Sequence, residues 1–163
     1  MEYNILVEQA EQVVNEATEP ALASALTKVL ANTFVFYFKA HSFHWNVVGK
    51  DFPQYHEFLG NVYEQAFGSV DRLAEEIRAL DAPAPMNLAS ILKDSSIMEN
   101  ASERDALSMM SILQSDNTIL LANLLACQKM AEAANEVGLA NYLQDLFDQR
   151  KKLAWMLNSI LKG

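Results

Sequence analysis

The sequence is short of the residues that punctuate chains and staple them. It has one cysteine, Cys127, which cannot build an intramolecular disulfide framework or a cysteine zinc cluster. It has five glycines and four prolines in 163 residues, about half of the ~7% and ~5% that an average chain carries. Sheet proteins need many turns, and turns draw on Gly and Pro. The shortage argues against a many-stranded sandwich or barrel and favours a few long helices. Basic residues are scarce as well, with 12 Lys and Arg against 21 Asp and Glu, for a net charge of −9. Nucleic-acid binding rests on neutralising phosphates, so the chain is a poor candidate for it. Acidity suits the attraction of small cations better. The opening Met1-Glu2-Tyr3-Asn4 lacks a basic n-region, unlike a secretory signal. The longest charge-free apolar stretches, residues 29–38 and 117–128, fall short of the ~18 residues that would cross a bilayer. A soluble, cytoplasmic protein with no membrane partner is expected.

What is present fits one globular domain over residues 1–163. Hydrophobic residues make up 51% and charged residues 20%, and the length suffices to bury a core. Thr18-Glu19-Pro20 reads as a helix start, with proline in the first turn. Leu22, Leu26, Val29, Leu30, Phe34, Tyr37 and Phe38 follow at three- and four-residue steps. That is a helical stripe, extending to Val47 and stopped by Gly49. Asp51-Phe52-Pro53-Gln54 reads as a capping box for a second helix to Leu80, broken by Pro83 and Pro85. Asn87 caps a short helix over 88–93. A box at Asn100-Ala101-Ser102-Glu103 opens a third long helix to Asn135, and Gly138 separates it from a fourth over 139–161. An amphipathic segment over 5–14 precedes them. The expectation is an all-α four-helix bundle with a short helix in the crossover between the second and third helices. The third helix is apolar around most of its circumference, which predicts that its outer side meets another subunit.

The polar residues that call for explanation are His41, His44, His56, Asp71 and Glu75. Asp71 and Glu75 are four apart and share a helix face. His56 lies 15 residues before Asp71 on the same predicted helix, with directions ~60° apart but roughly 22 Å along the axis. One chain cannot bring them to one ion. Two copies of this helix packed antiparallel about a two-fold axis near residue 65 can, reciprocally. Gly60 and Gly68, within ~120° of His56, would let the backbones approach, or they are incidental. His44, near the end of the first helix, would complete the site. Mixed nitrogen and carboxylate donors suit Fe, Mn or Zn rather than Mg or Ca.

Three blocks carry a family pattern: His44-Trp45-Asn46-Val47-x-Gly49, then Phe52 with His56-Glu57, then Asp71-x-x-Ala74-Glu75-x-Ile77-Arg78-Ala79-Leu80. In order and spacing they resemble the Dps family of mini-ferritins, and the likeness spans nearly the whole chain, including Trp155. The resemblance implies a ferritin-like bundle in a dodecamer built from two-fold dimers. It implies oxidation of Fe(II) by hydrogen peroxide or oxygen at intersubunit sites, storage of the ferric product and protection against oxidative damage. It implies that Asp71 and Glu75 bind iron with His44 of the neighbour, and that Glu75 bridges toward a second position near His56. Trp45 resembles the aromatic that the family places beside this site, or serves in core packing. One departure is central. The family has an Asp one turn after His56, and here that position is Gly60. Three outcomes stay open: one tight metal with slow oxidation, an iron pair completed by water and Glu75, or a structural or zinc-filled site. Slow or altered oxidation ranks first, because His44, His56, Asp71 and Glu75 all remain. The alternative reading is a shell with impaired chemistry. The family's acidic pore residues have only Glu132, Glu136 and Asp145 as counterparts, with no assignment made. Acidic ends in place of Lys-rich tails make DNA binding unlikely.

Overall fold

The computed structural model describes residues 2–99, 102 and 105–163, with side chains described from Glu19 onward. Six helices are found among them: α1 (Glu2–Asn46), α2 (Phe52–Gly68), α3 (Val70–Ala79), α4 (Leu88–Asp94), α5 (Ala106–Ala133) and α6 (Val137–Leu161). The bundle is formed by α1, the α2–α3 pair, α5 and α6, with α5 packed on α6 and α1 packed on α2, α3 and α5. The short α4 lies against α1 in the crossover. This is the expected all-α ferritin-like arrangement. The apolar stripes meet in two clusters. One gathers Phe36, Phe43, Leu59, Met109, Met110 and Leu113. The other gathers Leu22, Leu26, Leu73, Ile77 and Leu143.

The helix boundaries differ from the sequence expectation in instructive ways. Pro20 lies inside α1, so the segment over 5–14 is part of the same 45-residue helix. A proline removes one donor from the ladder, and the long runs on either side carry the helix through it. Asp51 sits at φ 62 and makes no side-chain cap bond. Capping needs extended backbone at the cap, so the box is not formed. Instead the Asp51 carbonyl accepts from the Gln54 and Tyr55 N–H groups at 3.1 and 3.2 Å. The second helix is interrupted at Ser69, giving α2 and α3. Asn87 does cap α4, accepting from the Ser90 N–H at 2.9 Å. Of the expected box before α5, Asn100, Ala101 and Glu103 lie outside the described residues. The cap present is Asp105, which accepts from the Ser108 N–H at 2.9 Å, and that bond holds its carboxyl below the usual range. The turn before α6 is made by Asn135 at φ 58, while Gly138 lies inside the helix. Asparagine tolerates the left-handed region better than most side chains. α1 ends at Asn46, one residue short of the expected Val47, and Gly49, at φ 110, lies in the turn that follows.

Two expectations about apolar surface need restating. Glu19–Asn46 is long and apolar enough to cross a membrane by length and composition, with a mean hydropathy of 1.4 in its best window. Charge-free runs alone missed this, because Lys28 and Lys39 interrupt them. The segment is nonetheless a core helix, 56% of that window being buried against the rest of the bundle. On α5, Leu107 and Leu125 are exposed, but Ser111, Ser115, Thr118 and Lys129 are exposed beside them, so its outer side is mixed rather than apolar.

The crossover is fastened by one buried residue. Asn32 is fully buried in α1. Its Oδ1 accepts from the Ser96 N–H at 2.7 Å and the Ser95 hydroxyl at 3.0 Å, and its Nδ2 donates to Asn123 of α5. Replacing Asn32 with Ala orphans these groups and is expected to destabilise the fold by about 2–4 kcal/mol, read as a lowered thermal midpoint. Cys127 is fully buried, and burial pushes its thiol up to about 12. The thiol therefore stays protonated and unreactive at neutral pH. Alkylation by iodoacetamide is expected only after denaturation.

Candidate metal centre

His44 ends α1 and His56 lies early in α2, and the turn at 47–51 folds the two helices back on each other. The two imidazoles then meet in a reciprocal clasp. His44 Nδ1 lies 2.7 Å from the His56 carbonyl, and His56 Nδ1 lies 2.8 Å from the His44 carbonyl. A carbonyl only accepts, so each Nδ1 must carry the proton. In the neutral ring, that leaves each Nε2 with a free lone pair, the arrangement that prepares histidine for a metal. The rings stack at 3.7 Å with 19° between planes. Position 60 faces this clasp, since a Cβ built on Gly60 would touch His44 Cε1 at 3.4 Å and Nδ1 at 3.5 Å. A carboxylate there would stand beside the imidazole, and glycine leaves that place bare.

An aromatic cluster backs the clasp. The His41 ring stacks on Tyr63 at 3.8 Å and 12°, and lies 4.2 Å from Trp45. Tyr63 also meets the His44 ring edge-on at 5.2 Å. Desolvation, followed by the neighbouring His44, holds the His41 pKa below the ordinary imidazole value. Trp45 is 58% exposed, so core packing is not its role. Sequence reasoning named His41 without a role and missed Tyr63. Their signal is spacing: His41 and His44 are three apart, and His56, Gly60 and Tyr63 run along one face of α2.

Asp71 and Glu75 lie on α3 and are both exposed. The 15 residues from His56 to Asp71 span roughly 22 Å of helix. One chain therefore joins His44 to His56 and leaves both carboxylates at the far end. Among the described residues, no group of three or more His, Cys, Asp or Glu side chains is placed to hold a metal ion.

The comparisons with known proteins agree with the fold. A ferritin-like domain signature matches residues 23–163. The DNA protection during starvation protein of Brevibacillus brevis is 32% identical over 141 residues, covering 86% of this chain and 95% of that protein. The crystal structure of a Dps protein from Vibrio cholerae O1, described as a member of a broad superfamily of ferritin-like diiron-carboxylate proteins, superposes with a TM-score of 0.85 at 32% identity. It covers 89% of this chain and 91% of that one. The chain belongs to the Dps family of mini-ferritins. Antigen TpF1 from Treponema pallidum is similar too, with a TM-score of 0.86 and 27% identity over 90% of this chain and 95% of that one.

This Dps chain lacks the inward-facing ligand pattern that di-iron carboxylate bundles often carry. Those bundles carry a Glu from each of two helices and a Glu-x-x-His from each of the other two, all pointing inward. No Glu-x-x-His occurs in the sequence. The interior holds cations of its own. Lys39 of α1 donates to Asp116 of α5 at 2.6 Å, with both side chains buried. Arg150 of α6 is buried over the Phe36 ring at 4.9 Å, and burial lowers its pKa to about 10. Burial also raises the Asp116 carboxyl, against the opposing pull of Lys39. Lys39 is neutralised by Asp116, and Arg150 adds a buried positive group, so the polar residues of this interior serve the structural core. Lys39→Met would strand Asp116, with an expected loss of about 3–5 kcal/mol. The double variant Lys39→Met, Asp116→Leu is expected to recover most of that loss in the same thermal assay.

Proposed function

We propose that this chain assembles as two-fold dimers within a dodecameric shell that oxidises Fe(II) and stores the ferric product. The sites lie between subunits, with His44 and His56 from one chain and Asp71 and Glu75 from its neighbour. The observation that carries this reading is the clasp. Two imidazoles are held with their Nε2 lone pairs free, while the carboxylates suited to complete the site lie exposed at the other end of the same helical pair. An antiparallel two-fold axis near residue 65 brings the ends together twice. Imidazole suits Fe(II), and carboxylates stabilise the growing charge of Fe(III). Two Fe(II) ions give the two electrons that reduce one hydrogen peroxide, with two protons, to two waters. Paired delivery avoids the one-electron step that releases hydroxyl radical. Protection then comes from removing iron and peroxide, as a shell this acidic has little attraction for DNA.

The bare position at Gly60 favours a second, narrower reading. The neighbour of His44 at one turn past His56 supplies no oxygen donor, so the second iron is held by fewer ligands and oxidation is slow. Zinc or manganese would then compete for the same donors.

Anaerobic Fe(II) titration followed by peroxide tests both readings. Saturable binding and oxidation faster than in buffer are expected. Glu75→Gln and His44→Ala are each expected to lose at least about tenfold in rate. No saturable binding, with a rate equal to buffer, would sink the proposal. A rate increase in Gly60→Asp is expected if the missing carboxylate limits the reaction, and an unchanged rate would dismiss the narrower reading.

A further inference from the structure

The α3 helix carries both carboxylates of the proposed site, so its orientation fixes where they point. Its two buried residues, Leu73 and Ile77, anchor one side in the core. Its start is set by the interruption at Ser69. There the Ser69 N–H donates to the Ala66 carbonyl at 3.2 Å, and the Ser69 hydroxyl donates to the same oxygen at 2.8 Å. The chain tightens to an i→i−3 turn, and hydroxyl back-bonding of this kind bends helices. The Ser69 carbonyl accepts in turn from the Leu73 N–H at 3.1 Å and from the Tyr142 hydroxyl of α6 at 3.3 Å. Tyr142 is buried, and the Arg72 guanidinium lies over its ring at 3.8 Å. One tyrosine therefore grips α3 through the backbone of Ser69 and the side chain of Arg72. Those two residues flank Asp71.

A Cβ at Gly68 would meet no atom within 4 Å, so alanine fits there, and an unbroken helix would recover the propensity that glycine forfeits. The glycine costs helix propensity at a position with room for a side chain. A carboxylate lies roughly 5–6 Å from its helix axis and moves ~1 Å for each ~10° of helix rotation. Misplacement by ~1 Å costs on the order of a hundredfold in a reaction that depends on position. A small rotation of α3 is therefore enough to spoil the site.

We propose that the Gly68–Ser69 joint, held by the Tyr142 hydroxyl, aims the Asp71 and Glu75 carboxylates, which makes Gly68 and Tyr142 positioning residues. This rests on the iron-oxidising reading above. The test compares Tyr142→Phe, Gly68→Ala and Asp71→Asn in the assembled protein. Co(II) binding is followed by its absorption as a stand-in for Fe(II), alongside the thermal midpoint and Fe(II) oxidation by peroxide. Tyr142→Phe keeps the ring beneath Arg72, and Gly68→Ala is expected to raise the thermal midpoint. Both are nonetheless expected to weaken Co(II) binding and slow oxidation by about tenfold, with activity falling while stability holds or rises. Parent-like binding and rate in both variants, alongside a loss in Asp71→Asn, would overturn the aiming role alone. A loss that tracks a falling midpoint would also overturn it, as a merely structural effect. Unchanged Co(II) binding in Asp71→Asn would overturn the iron-oxidising reading itself.

Discussion

Each of the two imidazoles at the α1–α2 corner is held by the main-chain carbonyl of the residue that carries the other. The clasp sets three things at once. It fixes the tautomer of both rings, because carbonyls accept and do not donate. It pins the end of α1 to the second turn of α2, next to a short turn that a left-handed Asp51 and a positive-φ Gly49 already constrain. It also brings His44 over position 60, so the residue there decides whether a carboxylate joins the imidazoles. The aromatic layer of His41, Tyr63 and Trp45 supports the same corner from one side.

The placement of charge follows from the same division of labour. The bundle interior commits its polar groups to structure: Lys39 to Asp116, Arg150 to Phe36 and the α5–α6 seam, and Asn32 to the crossover. Buried ion pairs are weak sources of net stability but costly to break. The Lys39–Asp116 pair ties α1 to α5. The acidic excess is left to the surface, where Asp71 and Glu75 stand exposed. On the proposed reading, metal chemistry sits at the junction of two bundles rather than in the core of one, and it depends on assembly.

Much of this was legible in the sequence. The apolar stripe from Leu22 to Phe38 and the Asn87 cap each rest on a local rule, and each rule held. So did the argument that His56 and Asp71 are too far apart on one helix to share an ion within one chain. What could not be read is tertiary. Nothing in the spacing of His44 and His56 reveals that each ring bonds the other's carbonyl. The break at Ser69 depends on a tyrosine 73 residues later in the chain. Asp51 looked like a cap by residue type, but the turn from Gly49 forces it left-handed. Asn135 made the turn that Gly138 seemed placed to make, because either residue tolerates that backbone and only packing chooses between them.

The glycines of α2 now separate into two kinds of constraint. A helix-interior glycine costs roughly 0.5–1 kcal/mol relative to alanine, and at both Gly60 and Gly68 a Cβ would fit without a clash. Close packing within the chain therefore explains neither. Gly60 lies against the His44 ring, and Gly68 ends α2 just before the joint that turns α3. One faces the imidazole half of the site and the other precedes the carboxylate half. The two halves sit at opposite ends of one helical arm and, on the proposed reading, meet only across a two-fold axis, so the aim of each end matters as much as its ligands. An arm of this kind tolerates lost helix propensity where that loss sets direction. Gly60 sets no direction, and it places no oxygen donor beside the His44 ring. On the proposed reading, a site with fewer oxygens and free imidazoles owes its rate to the carboxylates that remain.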